Sequence, residues 1–211
     1  ASNATIDSLS QVVSNLDSAL TAFTSFFTLG CTQSSSPNYN QNANLDDGSC
    51  VVVGSTYQGG IVFYLDGTGS GLIAEPSDNF IAAEWGCDGI DVAGADGINI
   101  GTGSQNTIDI VNANCLTYNL NYNAANICDT LTLGGYSDWF LPSKDELITM
   151  FINLNQLGLG DFNNFGGGYW SSTELNSSNA WCNLPGQYGY PGSGFWEWKM
   201  GDISVRAIRA F

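Results

Sequence analysis

The sequence predicts an α+β fold, and three observations lead there. Residues 1–29 carry apolar side chains at alternating steps of three and four, the spacing of one helix face. Beyond residue 57 the apolar residues fall in short runs of strand length, separated by glycine-rich turns. Between those runs stand stretches with helix start and stop signals, and 26 glycines in 211 residues suit a loop-rich domain better than a helical bundle.

In NATIDSLSQVVSNLDSALTAFTSFF the large apolar residues are Ile6, Leu9, Val13, Leu16, Leu20, Phe23 and Phe27. Ile6, Val13, Leu20 and Phe27 take heptad position a, and Leu9, Leu16 and Phe23 take d. Val12, Ala19 and Phe26 widen the stripe to g. A stripe so wide, with little charge beside it, suits three or more packed helices rather than a two-stranded zipper. The alternative is one amphipathic helix lying on its own domain. Because so short a heptad run is marginal alone, residues 1–29 are read as a coiled-coil-like helix that assembles a homo-oligomer of three or more chains.

Residues 30–52 read differently. GCTQSSSPNYNQNANLDDGSC has no periodicity and is dominated by turn-formers. A Cys31–Cys50 bridge would close it into a small module. Asn42, Asn44 and Asp46 mimic positions one, three and five of a calcium loop, so calcium is the candidate cofactor. The mimicry is incomplete, since the glycine falls one residue late and no bidentate glutamate follows. A disulfide-closed loop of Asx turns is the plainer reading.

In residues 57–211, GGIVFYLDGTGSGLIAEP reads as a hairpin, with strands Ile61–Leu65 and Leu72–Glu75. Gly67, Gly69 and Gly71 serve the turn; no GK[ST] follows, so no phosphate loop is present. TIDIVNANC is helical by its period, and a second helical stretch spans Ala124–Leu131 before Gly134 and Gly135. In GYSDWFLPSKDEL, Ser143 and Glu146 form a capping box after Pro142, opening a helix through about Leu154. Asp145 and Glu146 then sit where the helix dipole favours acids. Trp139, Phe140 and Leu141 are buried feeders of that helix, so this segment is a fold signature and not a catalytic site. GGGYWSSTE, NAWCNLP, GFWEWKMGD and ISVRAIRAF are short strands, the last one alternating. Arg206 and Arg209 lie within it, with Asp138, Glu146 and Glu174 as candidate partners.

Charge narrows the function. Twenty acids against four bases give a net charge of −16, which repels phosphate backbones, anionic lipid and strongly anionic glycans. Nucleic acid is excluded as a partner, as is membrane insertion, for no apolar run is long enough. The chain has no histidine and no CxxC, hence no zinc site of usual spacing and no thioredoxin-like motif. Six scattered cysteines read as three disulfides formed in an oxidising compartment, extracellular or at the cell surface. The start at Ala1, without methionine, fits removal of a leader or a piece of a longer chain. Cys31–Cys50 follows from local sequence. Cys115–Cys128 would tie the two mid-domain helical stretches and leave Cys87–Cys182, though six cysteines allow fifteen pairings. For catalysis Glu75, Glu84 and Glu174 are available, but nothing in the sequence marks a pair with divergent environments. No enzyme is expected.

The ordered set GGIVFY, AEWGC, GADG, GTGSQNTIDI, GYSDWFLPSKDEL, YWSSTE and VRAIRAF resembles the Lcl C-terminal-domain-like family over residues 57–211. The preceding segment resembles the GCT…NYNPNA…DDGSC modules of secreted bacterial surface proteins. The first resemblance implies a C-type lectin-like domain, two helices around twisted antiparallel sheets, in surface proteins that include collagen-like adhesins. It also implies a trimer that recognises sulfated polysaccharides. Here the chain departs, because its charge opposes a polyanion. The EPN and WND motifs of calcium-bridged sugar binding are missing too, Glu75-Pro76 being followed by Ser77.

The expected function is therefore a secreted surface adhesion module on an oligomeric stalk, or a structural subunit of a surface filament. Between residues 179 and 199 lie Trp181, Tyr188, Tyr190, Phe195, Trp196 and Trp198 among glycines and prolines. Strand alternation places Trp196 and Trp198 on one face, Phe195 and Glu197 on the other. One set fills the core and the other forms a platform. Tyr188, Tyr190, Trp196 and Trp198 are the candidate contacts for a neutral glycan or a surface protein, since aromatic faces stack on sugars without positive charge. Filling of the core by most of these rings is the alternative.

Overall fold

The computed structural model of the chain describes residues 2–78, 80–115, 117, 123–162, 168–184 and 194–211. The chain divides into two compact units, one of Ala1–Cys50 with Gly67–Gly69, the other of Val51–Asp66 with Ser70–Phe211. Its architecture is α+β, with four helices and three sheets among the described residues.

In the first unit, helix α1 (Ser2–Ser25) holds its heptad stripe in solvent, Leu16 being 63% and Phe23 62% exposed, while Phe26 and Phe27, expected on the same stripe, lie past the helix end. Strands β1 (Leu29–Gly30) and β2 (Leu45–Asp46) pair in parallel. The Cys31–Cys50 disulfide closes the loop, with Cα atoms 4.7 Å apart. Asn44 anchors the loop to the helix end, its Oδ1 accepting from Thr28 N at 2.9 Å and its Nδ2 donating to Phe26 O at 2.6 Å.

The second unit is built on two sheets. Its elements in order are β3 (Thr56–Tyr57), β4 (Gly60–Leu65), β5 (Gly71–Ala74), β6 (Phe80–Ala83), α2 (Gly103–Ala113), α3 (Ala124–Asp129), α4 (Lys144–Gln156), β7 (Tyr169–Asn176), β8 (Asn179–Asn183), β9 (Phe195–Trp198), β10 (Ile203–Val205) and β11 (Ile208–Ala210). One sheet runs β11-β5-β4-β3, the other β6-β10-β7-β8-β9. The expected β4–β5 hairpin is present, as are the helices expected near residues 107–113 and 124–131. Gly59 and Gly134 meet in the segment after α3: a Cβ on Gly59 would come within 2.7 Å of Gly134 Cα, so the two backbones touch only because both lack side chains. Two apolar clusters fill the unit. Trp85, Trp139, Trp170, Ile73, Ile110 and Leu141 belong to one; Phe63, Leu147, Phe151, Phe162 and Tyr169 belong to the other.

Ser143 caps α4 as expected, with both halves of the box formed. The Glu146 carboxylate does more than cap: it also accepts from Gly101 N at 2.7 Å, fastening the loop before α2. Burial pushes the Glu146 carboxyl above the usual carboxylate range, and the amides of Ser143 and Gly101 oppose that rise.

Three expectations are corrected. ISVRAIRAF is not one strand: it breaks at Arg206 and Ala207, so that β10 joins one sheet and β11 the other. The break places Arg206 in the interior, where it binds Asp78 and donates to the carbonyls of Glu75 and Gly160 at 2.9 and 2.7 Å. The sheets are also not wholly antiparallel, since β10 lies parallel to β7. Finally, Cys115–Cys128 and Cys87–Cys182 do not form. Cys87 bridges Cys115, and Cys128 and Cys182 are buried free thiols. The left-handed Asn114, φ 49°, ends α2 and turns Cys115 aside to the equally left-handed Cys87, φ 57°. Cys128, on the core side of α3, and Cys182, on the inner side of β8, pack as small apolar groups.

Candidate functional site

Strands β8 and β9 form the edge of the five-stranded sheet, and their register sorts the aromatic residues. Directly opposed pairs are Asn179 with Trp198, Ala180 with Glu197, Trp181 with Trp196, and Cys182 with Phe195. Alternation therefore puts Trp181, Trp196, Trp198 and Asn179 on one face, and Ala180, Cys182 and Phe195 on the other. The second set enters the core. In the first set Trp196 is 51% and Trp198 55% exposed, and Trp181 is half-buried. Three of the six tryptophans thus share one sheet face, while Trp85, Trp139 and Trp170 are buried.

Lys144 completes this face. As the first residue of α4 it donates its backbone N–H to Thr173 Oγ1 at 3.0 Å, which sets the helix start against β7. Its Nζ lies 3.5 Å from the centre of the Trp181 ring, a cation–π contact. The stem passes beside Gly194, where a Cβ would come within 2.9 Å of Lys144 Cε and 3.7 Å of Trp181 Cε3. Asn179 and Asn183 flank Trp181 on the same strand face. Their Nδ2 atoms are buried and have no hydrogen-bond partner among the described residues.

The other three cations are committed. Lys199 is buried against Glu174, donates to Ile90 O at 2.8 Å and lies over Trp85. Arg206 pairs with Asp78 and stacks on Phe162. Arg209 pairs with Asp138, as expected, and donates to Gln58 Oε1 at 2.6 Å. That bond from Arg209 holds the Asp138 carboxyl below the usual carboxylate range. Glu146 and Glu174, the other expected partners of the arginines, serve as helix cap and as partner of Lys199.

Of the carboxylates considered for catalysis, Glu75 and Glu84 are buried and Glu174 pairs with Lys199. Glu75 is 3% exposed, and burial pushes its pKa to about 7, opposed by the Ala207 amide and the Arg206 charge. Glu84 is buried as well, and Glu174 also accepts from Val92 N at 3.0 Å. In the Asn/Asp-rich loop, Asn44 is spent on Thr28 and Phe26, and Asp46 Oδ1 accepts from Gly48 N at 2.9 Å. Asn42 uses its backbone N–H on Asn40 Oδ1. Tyr188 and Tyr190 lie outside the described residues.

Sequence reading missed two residues. Asp78, the partner of Arg206, carried no signal, being an isolated acid far away in the chain. Lys144 carried one: a cation at the first position of a helix opposes the helix dipole, so something other than helix stability accounts for it. No family model matches the chain, and no curated protein matches it.

Proposed function

We propose that the protein is a secreted surface module that binds glycan through the aromatic face of β8 and β9 and is displayed on an oligomer assembled by α1. The observation that carries this reading is the pairing of Trp181 with Trp196, beside Trp198, on a solvent-facing sheet edge. Leaving two indole rings half in water is unfavourable by a few kcal/mol unless something covers them. Flat rings on a strand suit the apolar faces of sugars, and Asn176, Asn179 and Ser178 provide polar neighbours for hydroxyls. The motif resemblance to a C-type lectin-like domain supports the same reading. Two disulfides fit an oxidising, extracellular setting, and among the described residues no helix is long and apolar enough to cross a membrane.

The oligomeric stalk rests on α1. Its large apolar residues from Ile6 to Phe23 are exposed, and it carries only two charges, Asp7 and Asp17. A helix of this kind gains its stability from a partner surface. A structural fibre subunit is the second reading, favoured by the coexistence of this stripe with β9 as an edge strand among the described residues. Tryptophan fluorescence during glycan titration tests the first: binding should shift and quench the emission. A glycan that binds without perturbing the indoles would refute the aromatic face as the site.

A further inference from the structure

We infer that the aromatic face recognises a glycan through one carboxylated sugar, whose carboxylate is held by Lys144. This deepens the glycan reading above and rests on it. All twenty acids of the chain lie in the described residues, so the pairing of the four cations can be read in full. Lys199, Arg206 and Arg209 each have a carboxylate partner; Lys144 has none. It is also held where it opposes the dipole of its own helix. The Trp181 ring at 3.5 Å and the Thr173 bond to its backbone fix it at the edge of the platform. One side of the ammonium faces the ring, and among the described residues no acceptor takes its remaining donors.

The number of charges sets the ligand class. A single cation satisfies a single carboxylate, and the surrounding negative field repels a polymer bearing one on every unit. The ligand is thus a hexuronate or related acidic sugar set among neutral units, which stack on Trp196 and Trp198. Glu197 does not compete for the ammonium, since it points to the opposite face of β9.

The test uses the full chain and a panel of matched glycans, each carboxylated member paired with its carboxyl-reduced, neutral counterpart. Panel members end in glucuronate, galacturonate, mannuronate or sialic acid, and a sulfated polymer and an acidic peptide are included. A charge-assisted hydrogen bond predicts that carboxylated members bind about tenfold tighter at low salt. Lys144→Met keeps the stem on Trp181 and should erase that preference, so that each carboxylated member binds no tighter than its neutral counterpart; Lys144→Arg should retain it. Melting temperature guards against misfolding, and Lys144→Gln serves if the methionine variant is unstable. Equal binding of matched pairs, or a preference that survives Lys144→Met, overturns the carboxylate proposal yet leaves the aromatic reading standing. Tighter binding of the sulfated polymer or the peptide overturns it too. No binding by any glycan overturns both.

Discussion

The stripe of α1 and the outer face of β9 both hold large apolar side chains in solvent, but they are built differently. On α1 the exposed residues repeat every three or four positions over the whole helix, with serines, threonines and asparagines between them. Nothing there distinguishes one turn from the next, which is the pattern of a surface that meets copies of itself. On β9 the exposed rings number two, opposed by Trp181 and Asn179 and bordered by a placed cation. In the proposed reading that asymmetry orients a ligand, so that repetition serves assembly while a local mixture of rings, amides and one charge serves recognition.

The largest effect should come from breaking the repetition. Leu16→Asp puts a charge in the apolar seam, at a cost of several kcal/mol across an oligomer. Light scattering should show a monomer, with the second unit still folded. An unchanged mass would move assembly away from α1 and remove the contrast.

A second change asks whether the domain carrying the aromatic face answers only to its own interior. Glu75 has a folded-state pKa of about 7 against an ordinary 4.5, so the folded chain keeps a proton that the unfolded chain releases. Its contribution to stability is complete below the unfolded value and is lost as pH rises through 7. Glu75→Gln mimics the protonated form, and should raise unfolding stability by about 2 kcal/mol at pH 8 and change it little at pH 4. Oligomer mass should not move. Equal stabilisation at both pH values would show that burial of charge is not the cause.

Trp198→Ala should cost least, within about 0.5 kcal/mol of stability, because an exposed ring has little packing to lose. A loss of several kcal/mol would return the ring to the core. Thiol labelling adds a count without an energy: two cysteines per chain, Cys128 and Cys182, should react only after unfolding. A chain with none would restore a third bridge.

Elements governed by neighbours in sequence were legible. The heptad of α1, the Ser143–Glu146 box, the β4–β5 turn and the Cys31–Cys50 loop depend on residues close together in the chain. The alternation of Trp196 and Trp198 could be read, but not which face turned inward, because that depends on Ala180 and Cys182 across the sheet. The Cys87–Cys115 pairing, the Arg206–Asp78 contact and the split of the last strand are products of tertiary packing. Sequence spacing carries no measure of them. Lys144 stands between: its misfit with the helix dipole was visible, its seat on Trp181 was not.

The most direct measurement is equilibrium glycan binding by the full chain and by the Trp196→Ala/Trp198→Ala double variant, with melting curves recorded on both. The expected result is at least tenfold weaker binding in the variant at an unchanged melting temperature. Undiminished binding by the variant, or a melting temperature that collapses with it, would contradict a ligand-binding face on β9.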